Sequence, residues 1–381
     1  MNFLIFSEGP LYKFYRWIGL SKDPLHFHKQ RAIFICLFAW LPLLILTLIS
    51  SVKLSAFIID IDVHVRLLLS LALLLYAEVI MNERLQTIVR QFVKFNIISK
   101  NELQQYEKIV ASAVRLSGSI TVEVLLLLFV ITVGRWISNQ LLPYDFSNWY
   151  AIKHGTQTSL TLPGYWYAFV SLPIFQFILL RWYYRILIWY RFLWQVSRLN
   201  LKLNSLHPDK AGGIGFLANS THGFGLFLAA QSFLLSGVIL NLIINTGANL
   251  WQFKYEIITW MILLVLIPLI PMTFFAIKLA RTKIDGTNEY AAFANHYVNE
   301  FRKKWVHPDV ESNEALLGTP DIQSLSDLSN SFNVSAQMQV FPFGKSVIMF
   351  ILVMAGLPFI PLIFTVIPLE KMISQIIGMI F

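Results

Sequence analysis

Seven stretches of mostly apolar residues punctuate the chain, at 32–51, 65–81, 120–137, 165–182, 222–245, 257–279 and 343–367. An α-helix needs about 20 such residues to cross the hydrocarbon of a bilayer, so each stretch predicts a membrane span. The second and third are short and are expected to run on into the interface. Between the spans the pattern changes from apolar runs to stripes. Leu103, Tyr106, Val110, Val114 and Leu116 recur at mostly helical spacing, as do Tyr290, Phe293, Ala294, Tyr297, Val298 and Phe301 between Asp285 and Trp305. A third stripe, Ile322, Leu325, Leu328 and Phe332, follows Thr319-Pro320-Asp321, where Thr319 is expected to cap a helix and Pro320 to open it. These three amphipathic helices should dock on neighbouring helices or on the membrane face. Residues 198–204 alternate with period two and predict a short strand instead. The expected fold class is all-α: a polytopic membrane bundle of about seven transmembrane helices with amphipathic cytoplasmic helices.

Composition narrows the classes. Of 381 residues, 56% are hydrophobic, 15% aromatic and only 13% charged, with a mean hydropathy of +0.61. Soluble domains carry roughly 25% charged residues, so a soluble enzyme is excluded, and so is disorder. The single cysteine, Cys36, lies inside the first span, which excludes a disulfide or a cysteine metal site within one chain.

The net charge of +9 acquires its meaning from where the basic residues fall. Segments 1–31, 82–119, 183–221 and 280–342 hold five, six, five and five Lys or Arg, whereas 52–64, 138–164, 246–256 and 368–381 hold one each. Basic residues are retained on the cytoplasmic side, so the alternation predicts a cytoplasmic N-terminus and an external C-terminus. The charge therefore points to topology and to anionic inner-leaflet lipids rather than to nucleic acid. Segment 1–31 reads as an interfacial stretch, with Phe3, Leu4, Ile5 and Phe6 and then Leu11, Phe14, Tyr15, Trp17 and Ile18 set among basic residues; it is not expected to be a cleaved signal. Residues 32–381 then form one transmembrane domain with cytoplasmic helical insertions at 82–119, 183–221 and 280–342.

Candidate chemistry is sparse. His207-Pro208-Asp209-Lys210-Ala211-Gly212-Gly213 precedes the fifth span; the glycines permit exposed amides, so His207, Asp209, Lys210, Gly212 and Gly213 form a candidate anion-binding turn. The competing reading is a tight interfacial turn capped by Asp209. Ionisable residues near the hydrocarbon are costly and are functional candidates by default. Glu78, Glu123, Arg181 and Lys278 fall near inner span ends and are expected to pair as an ion-pair belt; Asp60 or Asp62 with Arg66 or Arg135 would do the same outside. Uncharged polar residues reach deeper: Gln231, Asn241 and Asn245 in the fifth span, beside the helix-breaking Pro268 and Pro271 in the sixth and Pro358 and Pro361 in the seventh. Broken helices line midplane sites in transporters, so these seven are candidate cavity-lining residues; helix-packing contacts are the alternative. No H-E-x-x-H spacing marks a metal site and no cofactor or catalytic motif is present.

Taken as strings, D-V-H-V-R-L-L-L at 62–69, H-P-D-K-A-G-G-I-G-F-L at 207–217 and D-I-Q-S-L-S-D-L at 321–328 resemble an uncharacterised family of bacterial polytopic inner-membrane proteins. The resemblance implies a bacterial inner membrane and carries no activity. Three functions stay open at this level. The leading one is passage of a small solute or ion between spans five, six and seven. The alternatives are a non-catalytic scaffold or regulatory subunit, binding a protein or a second copy through its cytoplasmic helices, and an inner-leaflet enzyme acting on a lipid phosphate through Arg181, Arg185, His207, Asp209 and Lys210.

Overall fold

The computed structural model describes Phe3, Pro10 and residues 28–50, 52–134, 149–154, 157–307 and 319–365. In chain order the helices are α1 (His28–Ile49), the short α2 (Leu54–Ile59), α3 (Ile61–Lys94), α4 (Lys100–Ser117), α5 (Ile120–Gly134), α6 (Leu162–Arg198), α7 (Gly215–Thr246), α8 (Leu250–Thr273), α9 (Ala276–Phe301), α10 (Asp321–Ala336) and α11 (Lys345–Ile363). Six of them, α1, α3, α6, α7, α8 and α11, are long and apolar enough to cross a membrane; α4 and α5, bent by 42° at Gly118, supply a seventh if the pair is taken as one span. The chain is thus an all-α bundle with the helices of a multi-pass membrane protein.

Several boundaries differ from the expectation. The two spans read as 65–81 and 165–182 belong to helices of 34 and 37 residues, so α3 and α6 pass straight through 82 and 183 without a break. Their polar ends remain helical because α4 packs on them: Tyr106, Ile109 and Val110 are buried and the Tyr106 hydroxyl donates to the Val89 carbonyl at 2.7 Å. The sixth stretch ends earlier, at Thr273, and α9 starts afresh at Ala276. Helix α10 begins at Asp321 with Pro320 at the cap position rather than inside the helix. The strand expected at 198–204 reduces to a single antiparallel bridge between Ile98 and Leu201. An unforeseen hairpin, β1 (Ala151–His154) and β2 (Gln157–Leu160), pairs Ala151 with Leu160 on the opposite end of the bundle. Of the N-terminal segment, Phe3 is fully buried against Trp189 and Phe192 of α6; the rest of the interfacial reading, like Arg135 and the final residues, lies outside the described residues.

Helices α3, α6 and α7 form the centre. Lipid tails offer no apolar driving force between helices, so packing and interhelical hydrogen bonds hold them. Small polar side chains donate to carbonyls of neighbours: Ser70 to Ala230 (3.1 Å), Ser171 to Ala39 (2.6 Å) and Ser236 to Pro358 (2.7 Å). The Trp182 indole reaches the Leu74 carbonyl at 3.0 Å. By contrast α5 exposes Ile120, Leu125, Leu128 and Ile131 and buries little beyond Glu123, Val130 and Gly134, consistent with a helix at the lipid face.

Candidate functional site

Glu78 is the hub of the most concentrated buried charge among the described residues. Helix α3 places it where the first turn of α5 and the start of α1 meet α6, so four helices contribute. Arg181 Nη1 and Arg185 Nη1 each lie 3.1 Å from Glu78 Oε1, Arg31 Nη2 lies 3.3 Å from Glu78 Oε2, and Arg181 Nε lies 3.1 Å from Glu123 Oε1. All five side chains are buried, with Arg181 and Arg185 at most 2% exposed. Charges this far from water persist only when paired and hydrogen-bonded, and removing one partner of such a set is costly. Arg31 also donates to the Leu75 carbonyl at 3.5 Å. Spacing alone predicts Glu78, Glu123 and Arg181 in one belt; Arg31 and Arg185 join it although they fall in the basic segments 1–31 and 183–221, because only the packing of α1 and α6 on α3 brings them to Glu78.

Lys278 is not part of this group. Its ammonium binds the Leu199 carbonyl at the end of α6, and burial holds it below the ordinary lysine range. At the hairpin end, Arg66 pairs with Asp62 one turn earlier at 2.7 Å. Asp60 instead accepts the Trp149 indole at 2.7 Å, and burial pushes its carboxyl above the usual carboxylate range. His64 is held at both nitrogens: Trp40 donates to Nδ1 at 2.8 Å, so Nε2 carries the proton and donates to the Phe57 carbonyl at 3.0 Å.

The turn before α7 closes on its own side chain. Asp209 Oδ1 accepts from the amides of Ala211 (2.8 Å) and Gly213 (3.1 Å), and Oδ2 from Gly215 (2.9 Å). His207 Nδ1 stands 2.8 Å from Asp209 Oδ1. Partial burial works to raise the Asp209 carboxyl, but the three amides and His207 outweigh it and hold it below its ordinary range. Gly212 and Gly213 adopt φ of +66° and +94°, which bends the amides inward. The anion that this turn holds is therefore Asp209, and these amides are not open to another. Lys210 turns away to Gln337 Oε1 at 2.8 Å.

The expected cavity residues are dispersed. Asn245 is exposed near the end of α7 and donates to Asn241 Oδ1 at 3.1 Å and to its carbonyl at 2.9 Å, a contact along one helix rather than a lining between helices. Pro268, Pro271 and Pro358 are buried and Pro361 is exposed. Pro271 has no N–H to offer the carbonyl four residues earlier, Ile267, and the Tyr190 hydroxyl takes it. Gln231 is buried: its Oε1 accepts from Tyr183 at 3.1 Å, while its Nε2 and the neighbouring Ser232 Oγ are buried with no hydrogen-bond partner among the described residues. Among the described residues, no three His, Cys, Asp or Glu side chains are placed to hold a metal ion. Nor do the enzyme candidates share a site. From Arg185 to the end of α6 the helix rises about 20 Å, and the Asp209 turn begins beyond that end.

Comparison with family models, with curated proteins and with solved structures finds no match to the chain.

Proposed function

We propose that the chain is a non-catalytic scaffold or regulatory subunit of a bacterial cytoplasmic membrane, N-terminus inside, that receives a protein partner on its paired helices α9 and α10. The observation carrying this reading is what the fold leaves uncovered. On α9, Ile284 and Phe293 are 58% and 56% exposed, and Ile322 at the start of α10 is 53% exposed. The groups that could do chemistry are engaged with one another: Asp209 with its own amides, Glu78 with three arginines. The retention pattern of Lys and Arg supports a cytoplasmic side for α9 and α10, and the resemblance of the strings at 207–217 and 321–328 supports the bacterial assignment. A photoreactive residue at position 293, irradiated in native membranes, should yield one discrete protein adduct that Ile322→Glu abolishes. Lipid adducts only, together with a monomeric purified protein, would overturn the reading.

One observation favours passage of a small polar solute instead, namely Gln231 Nε2 and Ser232 Oγ inside α7, which have no hydrogen-bond partner among the described residues. Uptake into proteoliposomes that Gln231→Leu abolishes would move the assignment to transport.

A further inference from the structure

Past the charge node, α6 exposes a single stripe. From Arg181 to Leu199 the exposed residues are Leu187, Arg191, Trp194 and Arg198, and every other residue is buried or half-buried. The spacing of four, three and four puts all of them on one helix face. Leu187 is 63% and Trp194 47% exposed. An apolar side chain left that open, two residues beyond the buried Arg185, belongs at the edge of the hydrocarbon, and an exposed Trp belongs at the headgroup level. Arg191 lies between them and therefore at the depth of lipid phosphates. The Arg198 guanidinium lies 5.3 Å from the centre of the Trp194 ring. That contact draws Arg198 back along the helix towards Arg191, as cation–π attraction over Trp does. Neither arginine has a carboxylate partner among the described residues; Glu102, near the end of α6, accepts from the Asn200 amide at 3.4 Å.

We propose that Arg191, Trp194 and Arg198 form a binding site for the phosphate of an anionic phospholipid in the leaflet at the basic end of the bundle. Leu187 continues the same face into the acyl region, which makes a lipid the occupant rather than a soluble phosphate. Two guanidiniums without carboxylates complement one phosphodiester and present forked donors to its oxygens.

The test uses the full chain in nanodiscs of equal phosphatidylglycerol and phosphatidylcholine, with native mass spectrometry of the lipids retained after release. The chain should retain phosphatidylglycerol selectively. With the forked charge-assisted bonds to one phosphodiester lost, R191Q/R198Q should lower that selectivity by roughly tenfold or more. Lys94 and Lys108 are exposed elsewhere at the same end, and K94Q/K108Q removes equal charge. It should change selectivity less than twofold. R191K/R198K keeps the charge but not the forked donors, so it should recover only part of the retention while folding as the natural chain does, which guards against a folding artefact. Equal losses in the two Gln pairs would mean general enrichment by net charge, and no loss in R191Q/R198Q would mean no site; either result overturns the proposal.

Discussion

Asp209 shows how one side chain organises a turn. Its lowered titration has a definite sign: a carboxyl depressed on folding adds stability above its unfolded range, near pH 4, and that stability is lost as pH falls through the lower folded value. Asp209→Asn should therefore unfold more easily at neutral pH, by about 1–3 kcal/mol for charge-assisted bonds removed, and the deficit should shrink on acidification. Chemical denaturation of both proteins at pH 7 and in the acid range measures it. Glu78 is the second residue-scale case. Glu78→Ala strands buried guanidinium groups, and loss of one partner in a buried pair costs about 3–5 kcal/mol, so the variant should show a large fall in Tm or fail to accumulate.

Between elements, proline breaks and small residues set the contacts. Tyr190 on α6 donates to the Ile267 carbonyl that Pro271 leaves unpaired on α8. Tyr190→Phe should cost about 1 kcal/mol in the natural chain and close to nothing in a Pro271→Ala background, where a backbone amide is restored. Unfolding of the four proteins of that cycle gives the coupling; additive effects would refute the shared carbonyl. Gly286 is the corresponding close approach on α9. A Cβ there would stand 2.1 Å from Ser205 Oγ and 3.0 Å from Ser335 Oγ. Gly286→Ala should thus separate α9 from the turn and from α10, with a destabilisation of about 1–3 kcal/mol typical of overpacking, read as a lower Tm.

For the whole molecule, orientation is the property to measure. Cys36 is buried, so the chain has a silent background for thiol labelling. Cysteine introduced at the exposed Lys108 should react with an impermeant maleimide only in permeabilised cells, and cysteine at the exposed Trp251 should react in intact ones. The reverse pattern would invert the proposed topology. The same experiment locates the Arg191 stripe, since α4 and the far end of α6 share a side.

That the chain is a bundle of apolar, membrane-length helices was legible in the residues alone, because span length depends on local sequence and on the bilayer rather than on partners; six of the seven apolar stretches are such helices by themselves, and the third is one only together with α4. Existence of the amphipathic helices was legible for the same reason, but the buried face of α4 only in part: Tyr106 and Val110 of the expected stripe are buried, together with Ile109, Ala113 and Ser117, while Leu103, Val114 and Leu116 are half-buried. What the sequence alone could not decide was pairing across distance. Arg31 and Arg185 join Glu78 from segments 47 and 107 residues away. Lys278 caps a carbonyl instead of an acid, and Trp149 brings the hairpin onto Asp60. Asp209 occupies the amides that its glycines bend inward. Hydrogen bonds and ion pairs are short-ranged, so which groups satisfy one another is known only once the helices are placed. Only the tertiary structure separated the stripe of α6 that stays exposed from the faces that close on the rest of the chain.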